Sequence, residues 1–145
     1  MLSRIAGFTI IAALLAGCAA SGPKFNEVSA SFPALGADQG RIYFYRTPFT
    51  FGGAVTAEIR LGNQAVGRSQ RGSFFYVDRP PGNYEVTTTT EVEKKLTFAL
   101  ASGETKYVRT YVGFGLLVGR VIPELMNMKE AEMDMADLAH IGSTK

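Results

Sequence analysis

Ser73-Phe-Phe-Tyr-Val-Asp-Arg-Pro-Pro-Gly-Asn-Tyr-Glu-Val-Thr-Thr-Thr-Thr90 decides the fold. Ser73 to Val77 is a short run of aromatic and β-branched residues, which fits a pleated, half-buried surface. Asp78-Arg-Pro-Pro-Gly-Asn83 breaks it with the strongest turn signal in the chain. Its two prolines fix φ and deny a ladder its donors, and its glycine is free to adopt positive φ. Beyond the turn, Tyr84, Val86 and Thr88 alternate with Glu85, Thr87 and Thr89, the period-two pattern of a strand. So much threonine predicts an edge strand, wet on one face.

The same texture extends both ways. Arg41-Ile-Tyr-Phe-Tyr-Arg46 has no plainly polar face, which suits a central strand whose tyrosines keep their hydroxyls near water. Thr47-Pro48 ends it, and Phe49-Thr-Phe51-Gly-Gly53 makes a loop. Ala57, Ile59 and Leu61 alternate with Glu58 and Arg60, and Gly62-Asn63 returns the chain as a hairpin through Ala65 to Arg68. Leu96, Phe98 and Leu100 form another inward row, as do Val108, Thr110 and Val112. Gly113-Phe-Gly-Leu-Leu-Val-Gly119 bends into Val121 to Met126, which Pro123 assigns to a sheet edge. These amount to about seven or eight short strands, with no helical pattern between them. The fold class expected over 40–127 is all-β, an antiparallel β-sandwich.

One helix is expected after it, over 128–141. Asn127 followed by Glu130 is a capping-box spacing, and Gly142 supplies a stop. Met128, Ala131, Met135 and Leu138 fall on one helical stripe, which places the helix against the sandwich. His140 stands in its last turn.

Before the sandwich, residues 18–39 are rich in Ser, Ala, Gly and Pro, yet include Phe25, Val28, Phe32 and Leu35. Disordered spacers hold few large apolar residues, so part of the segment is expected to pack as a strap, leaving a free tether of Ala19 to about Lys24. Earlier still, Arg4 precedes an apolar run from Ile5 to Leu15, too short to span a bilayer and of signal-peptide length. Leu15-Ala-Gly-Cys18 closes it at the chain's one cysteine. These residues resemble the lipobox of bacterial lipoproteins. The resemblance implies a signal peptide over 1–17, and a Cys18 that is lipidated on sulfur, becomes the new N-terminus and is acylated. Ala19 after it, where Asp commonly retains Gram-negative lipoproteins in the inner membrane, favours the outer membrane facing the periplasm.

Gly40-Arg-Ile-Tyr-Phe-Tyr-Arg46, Tyr76-Val-Asp-Arg-Pro-Pro-Gly82, Ala101-Ser-Gly-Glu-Thr-Lys-Tyr-Val-Arg109 and Gly113 to Arg120 together resemble bacterial lipoproteins of the DUF2846 family. The resemblance covers roughly Pro23 to Leu138. It implies a small β-rich periplasmic domain, prealbumin-like, and carries no catalytic residue across.

The chemistry-bearing residues are sparse. A lone His140 is neither a metal site nor half of a triad. Glu85, Glu91 and Glu93 read as a solvated face. Net charge is +2 with scattered cations, which disfavours nucleic acid. No catalytic residue, metal or cofactor is therefore expected. The expected function is a non-catalytic lipoprotein, held to the membrane by its N-terminal lipid, whose sandwich binds another envelope protein or peptidoglycan. Contact would come from Phe49, Phe51, Phe114, Leu116 and Leu117, the large apolar residues of the two glycine-rich loops. The alternative is a small-ligand, peptide or glycan site in a cleft lined by Tyr43, Tyr45, Tyr107 and Tyr111, whose hydroxyl-tipped rings suit sugars and peptides.

Overall fold

A computed structural model of the chain describes residues 20–48 and 51–144, so Cys18 and Phe49 lie outside the described residues. Two sheets face each other. The first has strand order β8-β7-β1-β4-β9, from Arg120–Met126, Thr105–Gly113, Gly40–Arg46, Ser73–Arg79 and Ala139–His140. The second runs β3-β2-β5-β6, from Gln64–Ser69, Ala57–Leu61, Gly82–Thr89 and Glu93–Leu100. The all-β sandwich read from the sequence is the architecture found. Most neighbours are antiparallel, but β1 runs parallel to β7, and β9 parallel to β4.

β1 is central, and every one of its residues is buried. Its two faces serve different layers. Ile42 and Phe44 join Ile59, Phe75, Val77, Val86 and Val108 between the sheets. Tyr43 and Tyr45 point the other way, into a second cluster with Phe74, Tyr107, Ala131, Met135 and Leu138. That second cluster is roofed by α2 (Met128–Met135) and by the strap, through Phe25, Val28 and Phe32.

The turn at residues 78–83 does not close a hairpin. β4 belongs to the first sheet and β5 to the second, so the two prolines carry the chain across the sandwich. β5 is also not the edge strand that its threonines predict. It lies between β2 and β6, with Val86, Thr87 and Thr88 buried. Thr88 meets the requirement on a buried hydroxyl by donating to the Val121 carbonyl at 2.6 Å, which ties β5 to β8 of the opposite sheet.

The helix expected over 128–141 ends at Met135. Its start is capped as read, with Asn127 Oδ1 accepting from the Glu130 N–H at 2.9 Å. Its end differs because Ala139 and His140 pair with Ser73 and Phe74 at the free edge of β4. The ladder of an uncovered strand outweighs one further turn of a helix already near the surface. His140 is therefore a strand residue, packed among Phe32, Phe74 and Tyr76, where burial lowers its pKa.

The strap is stitched to this tail. Phe25 N–H donates to the Leu138 carbonyl at 3.1 Å, and His140 N–H donates to Pro23 at 2.8 Å. A further bond from Thr144 N–H to the Val66 carbonyl, at 2.8 Å, brings the tail across to β3. No helix among the described residues is long and apolar enough to cross a membrane.

Candidate functional site

The two glycine-rich loops singled out in the sequence, one after β1 and one between β7 and β8, meet at one end of the sandwich. Phe51 and Phe114 touch, with ring centroids 5.1 Å apart. Leu116, Leu117 and Phe114 are 90%, 87% and 85% exposed, and Phe51 is 65% exposed. Val118, which the sequence reading passed over, adds a further exposed apolar side chain. Beneath them Val112 belongs to a small cluster with Ala57 and Val121. A Cβ on Gly52 or on Gly119 would come within 2.8 Å of the same Val112 methyl, so both loops close onto one side chain and neither position has room for more than hydrogen.

An exposed apolar loop ordinarily folds its side chains back onto the core. Two polar groups hold these loops out. Glu91, between β5 and β6, accepts from the Leu116 N–H at 2.7 Å and from the Leu117 N–H at 2.8 Å. The Leu117 amide is the foremost cause of a carboxyl pKa below the ordinary value, with the Leu116 and Val118 amides and Arg120 adding to it. Arg120 Nε stands 3.7 Å from the carboxylate. Gly115 is the clearance this needs, because a Cβ there would overlap the Glu91 carboxylate.

Arg46 serves the other loop. It closes β1 and is fully buried, and its partners include the carbonyls of Gly52 at 2.9 Å and Val55 at 2.5 Å. A guanidinium stays charged in proteins, so its burial requires such acceptors, and they in turn fix the path of the loop that carries Phe51. Burial, together with Arg71 nearby, pulls its pKa below the usual guanidinium value.

The four tyrosines expected to line a cleft do not do so. Tyr43, Tyr45 and Tyr107 are buried beneath α2 and the strap. Tyr43 and Tyr107 stack at 5.5 Å with an angle of 7° between the rings, and Phe25 meets Tyr43 edge-on. Their hydroxyls serve the fold: Tyr45 donates to Asp134 and Tyr107 to Glu132, both on α2. Burial, with Glu132 adding, pushes Tyr107 up to about 12. Tyr111 stands apart, beside Thr47, Arg109 and Glu124 in an open depression of about 330 Å³. The chain's own helix occupies the place where a ligand was expected, because an aromatic sheet face of this size stays dry only when covered.

The carboxylates read as a solvated face divide. Glu85 and Glu93 both pair with Lys95 on the surface, whereas Glu91 is the loop clamp. Among the described residues, no three His, Cys, Asp or Glu side chains gather as a metal site.

The domain family described as a protein of unknown function, DUF2846, matches residues 36–120, which run from before β1 to the end of the exposed loop. The chain belongs to the DUF2846 family. The matched span of this DUF2846 chain includes the clamp Glu91 and both glycine-rich loops, but neither α2 nor most of the strap. An uncharacterized protein of Haemophilus influenzae (strain ATCC 51907 / DSM 11121 / KW20 / Rd) is 24% identical over 132 residues, covering 88% of this chain and 78% of its own length. No solved structure matches the chain.

Proposed function

We propose that this DUF2846 chain is a non-catalytic outer-membrane lipoprotein, anchored through Cys18, that binds another component of the cell envelope with its apolar tip. The observation that carries the reading is the tip itself. Phe51, Phe114, Leu116 and Leu117 are held in solvent by Glu91 and Arg46, and that arrangement gives up burial worth roughly 1.5–3 kcal/mol for each large side chain. A fold keeps such residues outside when a contact covers them in use.

The non-catalytic reading draws on where the reactive groups are spent. His140 sits in an aromatic box, and Glu85, Glu91 and Glu93 are engaged in pairs or with loop amides. The envelope location draws on the lipobox residues alone.

Two experiments test the reading separately. Alanine at Phe49, Phe51, Phe114, Leu116 and Leu117 together should abolish cross-links to envelope components while leaving melting unchanged; unaltered cross-linking would refute this placement of the contact. Cys18→Ser, or globomycin treatment, should leave the chain unprocessed and mislocated; normal processing and membrane retention would refute the anchor.

A further inference from the structure

We infer that the tip docks on a phospholipid bilayer, with Phe51, Phe114, Leu116 and Leu117 seated at the boundary between headgroups and acyl chains. The inference rests on the reading of the tip as a contact surface and names its partner as lipid rather than protein or glycan.

Two features point to lipid. The first is shape. Two adjoining loops project exposed apolar side chains from one end of the fold, which suits insertion at the boundary of a fluid surface. The second is charge. Arg71 lies against Gly53 and Arg68 donates to Thr56, so two cations stand at the base of the loop that carries Phe51. The nearby charges of the other sign are already engaged, Glu91 with the loop amides and Arg120, and Glu58 with Arg60 at 2.8 Å. Cations beside an apolar point fit anionic lipid headgroups.

The test uses the full lipidated chain in vesicles of phosphatidylethanolamine and phosphatidylglycerol. An environment-sensitive fluorophore is placed on Leu116→Cys, and for comparison on Ser102→Cys, in the turn at the opposite end of β7. The label at 116 should shift to the blue and be quenched by nitroxides on the acyl chains, and the label at 102 should remain open to aqueous iodide. High salt should weaken the first effect. A photo-cross-linker at Phe114 in whole envelopes supplies the second arm. If both labels stay aqueous and Phe114 joins a protein, the lipid inference is overturned and the contact reading stands. If both stay aqueous and nothing is joined, both fall. Equal quenching at 116 and 102 overturns the lipid inference as well.

Discussion

Glu91 and the amides it captures show how one side chain can hold a loop that has no reason of its own to stay out. Two backbone donors, at Leu116 and Leu117, are satisfied by a carboxylate that a sequence reader places on a wet threonine strand. The pairing joins positions 25 and 26 residues apart, so no local spacing announces it. Arg46 was no more legible: the sequence marks it only as the end of a strand, and the Gly52 and Val55 carbonyls it serves lie in the loop beyond. The clamp makes a pH-dependent prediction. The folded state lowers the Glu91 pKa, so its contribution is present above the ordinary carboxyl range and is lost as pH falls through the lowered value. Glu91→Gln should mimic that loss at neutral pH. Amide exchange at Leu116 and Leu117 should accelerate in the variant, and the wild-type chain should converge on it in acid. Equal protection in both proteins at neutral pH would contradict the clamp.

At the scale of elements, α2 is short, and its place is set by what lies beneath it. Ala131 and Met135 are fully buried against Tyr43, Tyr45, Phe74 and Tyr107. Met135→Ala should lower stability by about 2–5 kcal/mol, measured by denaturant melting, whereas the exposed Met133→Ala should change it little. A loss below about 1 kcal/mol for Met135 would mean the helix is a loose cover. The start of α2 was plain in the sequence, because a cap is a local device. Its end was not, because the pairing of Ala139 and His140 with β4 is a tertiary choice between two acceptable conformations. β5 misled for a related reason. Threonine is disfavoured inside only while its hydroxyl is unmatched, and the Val121 carbonyl that matches Thr88 comes from the other sheet. β1, by contrast, was read correctly as central, since apolar residues on both faces leave a strand nowhere else to go.

For the whole molecule, the outer layer over the tyrosines is built from both ends of the chain. The strap contributes Phe25, Val28 and Phe32, and the tail accepts hydrogen bonds from it at the Ala136 and Leu138 carbonyls and donates one back from the His140 N–H. Removing residues 137–145 should therefore expose the strap as well as the edge of β4. The expected result is loss of exchange protection at Phe25 and a lowered melting temperature, with the core between the sheets retained. Unchanged protection at Phe25 would show that the strap holds without the tail.

That stitching also sets where a mechanical load would go. Lys24 bridges Ala139, and Ala139 is laid alongside Ser73 in the first sheet. A pull on the N-terminus would not peel away a loose leader. It would be passed to the last strand, from there to β4, and so to the middle of the molecule, where β1 lies between two partners. Such a load would be borne by the best-built part of the fold rather than by the edge where it entered.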